Sequence, residues 1–105
     1  MLSKPQFEQL PMFMTVRELS KHELGDTYLT GESNEEIMHR KLQESNKSGL
    51  TENIRQHGIQ QPIHLYHEVG NTKTITDGHH RLAVARTMGP NTLVPVSHRD
   101  LETGL

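Results

Sequence analysis

The residues with the clearest chemical potential are Asp77-Gly78-His79-His80-Arg81, which stand where the run Thr74-Ile75-Thr76 gives way to Leu82, Val84, Ala85 and Met88. The first pattern alternates as a strand does. The second has no Gly or Pro from His79 to Met88 and predicts a helix over that span. A strand that ends at Asp77 and a helix that begins just after Gly78 create an anion site, because the first N–H groups of a helix lack intrahelical partners and the helix dipole adds partial positive charge there. Gly78 lets a phosphate approach the backbone without a Cβ in the way. His79, His80 and Arg81 add side-chain donors, and the planar fork of Arg81 can grip two phosphate oxygens. The plainer alternative is that Asp77 caps the helix and the histidines are solvated. Three cationic or potentially cationic side chains in succession are unfavourable at a helix N-terminus, however, and favour an anionic partner.

The elements around this junction can be read from capping signals and periodicity. Residues 1–13 hold two prolines and no sustained period, and are expected to form an N-terminal arm to a single domain over 14–105. Thr15 and Glu18 have capping-box spacing for a short turn over Val16–Leu19, and Ser33 and Glu36 repeat it before a helix from about Asn34 to Lys47, stopped by Ser48-Gly49. In that helix Met38 and Leu42 are expected in the core, and the Glu/Lys-rich side is read as a solvated face rather than a partner surface. A third helix is expected from Thr51, acting as its cap, to His57, with Gly58 closing it. Pro62–His67 reads as a strand with Ile63 and Leu65 on one face, Glu68–Asn71 as a hairpin turn, and Thr72–Thr76 as its antiparallel partner. Gly89-Pro90 ends the helix after the junction. Leu93–Val96 then forms a last strand in which Pro95 suggests an edge position. The expected fold class is α+β: a small mixed sheet with helices packed on it.

Composition narrows the function. One compact core is all that 105 residues support, and with 31% hydrophobic residues, two Tyr, two Phe and no Trp that core is modest. A formal charge of −2 argues against a domain that holds DNA mainly by neutralising phosphates. Residues 1–52 carry six Lys/Arg against nine Asp/Glu, and residues 53–105 carry five against four, so an anion site is expected in the second half. A net acidic chain could still gather His79, His80, Arg81, Arg86 and Arg99 on one face, if the fold allows it. There is no long apolar run for a membrane and no apolar run at Met1-Leu2-Ser3-Lys4-Pro5, so a cytoplasmic location without membrane contact is expected. The absence of cysteine removes disulfides, thiolate metal sites and cysteine nucleophiles together.

Two other signals are weaker. Eight histidines invite a metal reading, with His64, His67, His79, His80 and His98 as candidate ligands. His64 and His67 lie three apart on a strand and point to opposite faces, and no metal motif accompanies them, so no dedicated metal site is expected. His98-Arg99-Asp100-Leu101 matches the opening of the protein-kinase catalytic loop by letters only, because that loop's other parts are missing. Arg99 could still approach an anion if the last strand ends beside the junction.

The order of segments resembles a known family. Gly58-Ile59-Gln60-Gln61-Pro62-Ile63, then Asp77-Gly78-His79-His80-Arg81-Leu82-Ala83-Val84-Ala85, then Val94-Pro95-Val96, is similar to the N-terminal domain of ParB-like proteins and to sulfiredoxin. The resemblance covers about Leu50 to Ser97. In that family the first segment and a Gly-Glu-Arg-Arg segment form a nucleotide pocket, and Gly78-His79-His80-Arg81 stands where the latter would. It also matches the Gly-Cys-His-Arg of sulfiredoxin, with His79 in place of cysteine, and the Asp-Gly-His-His-Arg version resembles the free-serine kinase branch. The resemblance implies that Gln61 and Pro62 border the base or ribose and that Asp77, Gly78, His79, His80 and Arg81 surround the phosphates. Sulfiredoxin chemistry needs the cysteine that is missing here. The sequence ends at Leu105 before any helix-turn-helix, so it is not expected to act alone as a partition protein, and no carboxylate cluster resembles a two-metal nuclease site.

Three functions remain open. The leading expectation is a stand-alone module that binds CTP or ATP with Mg²⁺ and regulates contact with a DNA or protein partner. The second is a small phosphotransferase or slow NTPase, with Asp77, or more speculatively Glu52, as base. The third is a non-catalytic phage or plasmid adaptor that binds a host protein or DNA. A homodimer is compatible with each.

Overall fold

The structure is a computed structural model that describes residues 12–67 and 73–100. Its elements in chain order are β1 (Phe13–Thr15), α1 (Val16–Leu19), β2 (Glu23–Leu24), α2 (Asp26–Thr30), α3 (Asn34–Ser48), α4 (Leu50–His57), β3 (Ile63–His67), β4 (Lys73–Asp77), α5 (His79–Arg86) and β5 (Leu93–Asp100). The strands form one mixed sheet in the order β1-β5-β3-β4-β2. β1 runs antiparallel to β5 and β3 antiparallel to β4, whereas β5 is parallel to β3 and β2 parallel to β4. The α+β class expected from the sequence is the class observed.

One face of the sheet is the core face. Met14, Ile63, Leu65, Ile75, Val94 and Val96 are buried there against Ile37 and Met38 of α3 and Leu82, Ala83 and Ala85 of α5. α3 and α5 form the most extensive helix–helix contact, and α4 joins both. Burying one such aliphatic side chain contributes about 1.5–3 kcal/mol, so this layer dominates stability. On the other face Phe13, Leu93 and Arg99 stay exposed. Alternation dictates this: in β3 the buried Ile63, Leu65 and His67 flank the half-buried His64 and Tyr66.

Both capping boxes form: the Thr15 and Ser33 hydroxyls accept from the backbone N–H of Glu18 and Glu36, whose side chains return to the cap backbones. Met38 is buried, and Leu42 packs half-buried against the core.

Several expectations are corrected. Phe13, read as part of the arm, begins β1, and residues 1–11 lie outside the described residues, as does the turn read at Glu68–Asn71. α4 starts one residue early from the left-handed Gly49. Thr51 is not its cap but lies inside it, buried, with its hydroxyl donating to Asn46 Oδ1. The helix after the junction stops at Arg86 rather than Met88, capped by Thr87.

Pro95 is not on an edge, since β5 lies between β1 and β3. The Val96 N–H donates to Met12 O at 2.9 Å, so the Pro95 nitrogen points away from β1, and the ladder to β3 begins only at Val96. No rung is lost to the missing donor. β2 and α2 were not foreseen; two strand residues and five helical residues are too short to show a period.

Candidate functional site

The strand–Gly–helix junction forms as expected, but its side chains diverge. Gly78 sits at φ +95°, a left-handed conformation that favours glycine, and a Cβ added there would lie 3.0 Å from Ile63 Cγ1 and 3.1 Å from Ile63 Cα and Arg81 Nη2. Glycine is therefore required twice, for its backbone angle and for close approach to β3. The helix it opens, α5, has no side-chain cap and no acidic residue in its first turn. The first N–H groups of α5 therefore receive no side-chain cap.

Asp77 is not the cap of α5. Its Oδ1 accepts from the N–H of Gly78 at 2.8 Å, and its side chain is 68% exposed. The register explains the outward turn: His64 pairs with Asp77 and Leu65 with Ile75, so a β-bulge places Thr76 and Asp77 together opposite His64. Without the bulge Asp77 would follow Ile75 toward the core. Instead its Oδ2 lies 3.8 Å from His64 Nε2 and 3.9 Å from Arg81 Nη2.

The three potential cations point three ways. His79 turns inward and is buried, with a hydrogen bond to the Ile75 backbone and with Nε2 unpartnered. Burial pushes its imidazole below the ordinary histidine value, so the neutral ring is favoured. His80 turns toward α3, where Nε2 lies 3.1 Å from Glu44 Oε1. Arg81 turns toward β3 and donates from Nη2 to Pro62 O at 2.9 Å, while its Nε is buried without a partner. Gathering His79, His80, Arg81, Arg86 and Arg99 on one face does not occur: His79 is internal, Arg86 makes a two-pronged bond to Glu35 at 2.8 and 2.9 Å, and Arg99 lies across the sheet. The compensation that three adjacent cations called for comes in part from burial and from Glu44.

Arg81 joins the two sequence segments. With Leu50, Asn53, Ile54, Gly58, Ile59, Gln60 and Gln61 it lines a pocket of about 290 Å³. That is near the lower end of the usual size for small-molecule sites, about 300–1,000 Å³. Gly58 shapes its wall with φ +76° and ψ −179°, a combination open essentially to glycine. Gln61 is exposed on the rim and Pro62 is half-buried beneath it. Sequence reasoning missed Leu50, Asn53 and Ile54, whose only signal was membership of a helix that leads into the Gly58 segment. Glu52 is exposed on the same helix and accepts from Gln56 Nε2. A groove of about 290 Å³ between α3 and α5, bordered by Arg86 and Glu35, is a packing seam away from the junction.

On the sheet's other face, His64, Tyr66, Thr76, Asp77 and Arg99 line an open groove of about 340 Å³. The histidines expected on opposite faces are so placed: His64 looks into this groove, and His67 is buried, with Nε2 2.8 Å from His98 Nδ1. Among the described residues no three His, Asp or Glu side chains gather as a metal ligand set, and no helix is long and apolar enough to cross a membrane.

No family model matches the chain, and no match was found among curated proteins. A crystal structure of sulfiredoxin from Arabidopsis thaliana is similar to it, with a TM-score of 0.50 and 26% sequence identity over 89% of this chain and 92% of that one. The architecture is the sulfiredoxin/ParB-like fold.

Proposed function

We propose that the chain is a nucleotide-binding module, taking CTP or ATP with Mg²⁺, whose bound state regulates contact with a DNA or protein partner. One observation carries this reading: the Arg81–Pro62 hydrogen bond and the shared pocket bring the Gly58–Pro62 segment and the Gly78–Arg81 segment to one place. The junction suits such a ligand on one count: Arg81 Nε is a buried donor without an acceptor, a state that costs about 1–3 kcal/mol. The uncapped N–H groups of α5 and the Arg81 guanidinium would hold the phosphates, and the pocket beside Gln61 and Pro62 would take the base or ribose. His80 would reach a phosphate only by leaving Glu44, and His79 would act from inside as support for the turn. Mg²⁺ would travel with the phosphates and neutralise their charge, and Asp77, whose carboxylate lies 3.9 Å from Arg81, would be available to help hold it.

A second reading, a phosphotransferase or slow NTPase, is favoured by the bulge that turns the Asp77 carboxylate outward beside the junction. Nothing brings Glu52 there. With no cysteine in the chain, sulfiredoxin chemistry is not part of either reading. Similarity to sulfiredoxin supports the fold on which both rest. The non-catalytic adaptor reading would leave partner binding unchanged in Arg81→Ala.

Isothermal titration with CTP and with ATP, each with Mg²⁺, tests the proposal. Saturable binding of one nucleotide that is lost in Arg81→Ala is expected. Absence of heat with both, or equal binding by Arg81→Ala, would refute it. Conversion of the bound nucleotide to its diphosphate, lost in Asp77→Asn while binding persists, would favour the catalytic reading.

A further inference from the structure

The groove on the sheet's other face has its own chemistry and shares only Asp77 with the site of the proposed function. It draws side chains from three strands: His64 and Tyr66 from β3, Thr76 and Asp77 from β4, and Arg99 from β5. Tyr66 and Arg99 are register partners across the parallel β3–β5 ladder, and both line the groove. Arg99 is exposed and makes no ion pair among the described residues, although Asp77 lines the same groove. The bulge supplies the other half. It spends a ladder position to bring Thr76 and Asp77 onto the same face, a device that recurs where a side chain must be aimed at a ligand.

We propose that this groove binds a small carboxylate with a hydroxyl or amine beside it. The Arg99 fork matches the two oxygens of a carboxylate, and the Tyr66 hydroxyl can donate to the same group. Asp77 accepts from the neighbouring hydroxyl or amine, with Thr76 beside it. The carboxylate of Asp77 also sets the charge the groove accepts. A dianionic phosphate is disfavoured by it, whereas a single carboxylate that presents a donor to Asp77 satisfies both ends.

The test is a titration of ¹⁵N-labelled protein with glycolate, acetate and inorganic phosphate, followed by amide chemical shifts. Glycolate should move the Tyr66, Thr76 and Arg99 amides saturably. Acetate, lacking the hydroxyl, should bind roughly ten- to a hundredfold more weakly, the worth of one hydrogen bond to a charged group, and phosphate should bind more weakly than glycolate. Arg99→Gln, a change at an exposed position, should abolish the glycolate shifts and leave nucleotide titration as it is in the parent. Arg81→Ala should do the reverse. Glycolate shifts that are absent, that survive in Arg99→Gln, or that acetate or phosphate reproduces at equal concentration would overturn the proposal, whatever the nucleotide experiments show.

Discussion

Two helix starts in this small domain are built on opposite plans. α3 begins with Ser33 and Glu36 in a reciprocal capping box, with Glu35 and Glu36 set against the positive end of its dipole. α5 begins from a left-handed glycine, with no cap, no acid and three basic side chains. The first start is complete in itself, and its polar groups are spent on holding the helix. The second is held by its surroundings instead: His79 is buried beneath it, Arg81 is tied to Pro62, and Gly78 is pressed against Ile63. A helix end that a protein secures by tertiary contacts, leaving its donors uncommitted, is the one suited to a ligand.

The contrast can be broken by substitution. The largest effect is expected from Gly78→Ala, which meets both an unfavourable φ and contacts of 3.0–3.1 Å with Ile63 and Arg81. Thermal unfolding should show a loss of roughly 2–4 kcal/mol, about 10 °C or more in Tm, together with loss of nucleotide protection. Ser33→Ala should cost about 1 kcal/mol and leave nucleotide titration unchanged, because α3 carries only its own cap. Equal damage to ligand binding from both variants would erase the distinction between the two starts.

A smaller effect concerns pH. Burial holds His79 below its ordinary value of 6.5, and His22 is shifted the same way by burial and by Lys73. The unfolded chain therefore takes up these protons first as pH falls. Their contribution to stability is full above 6.5 and declines below it, so Tm should drop as pH falls below 6.5, with a shallower slope in His79→Gln. A slope unchanged in that variant would mean that His79 is not held neutral. Smallest of all, Arg86→Ala should alter stability by no more than about 0.5 kcal/mol, since its partner Glu35 is largely exposed.

Much of the fold was legible in local sequence. Ser33 with Glu36, Thr15 with Glu18, and the alternation through Ile63 and Leu65 announce their elements because a cap or a pleat involves residues only two or three positions apart. Gly78 could be recognised as the hinge between strand and helix for the same reason. Gln61, Pro62 and Arg81 could be named as a group only through a resemblance, and their meeting rests on a hydrogen bond spanning nineteen positions.

What the sequence determined by itself was thus the set of elements with strong local signals, the junction at Asp77–Arg81, and the absence of cysteine chemistry. Tertiary structure decided where the junction's side chains point. One bulge opposite His64 turned Asp77 to the outer face, the α3–α5 contact set Glu44 beside His80, and the core drew in His79. It also decided that Pro95 belongs to an inner strand and that Arg99 shares a groove with Asp77. The physical reason is one of range: capping and alternation act between neighbours in the chain, whereas strand register and helix packing join residues dozens of positions apart, and a shift of one residue in register sends a side chain to the opposite face.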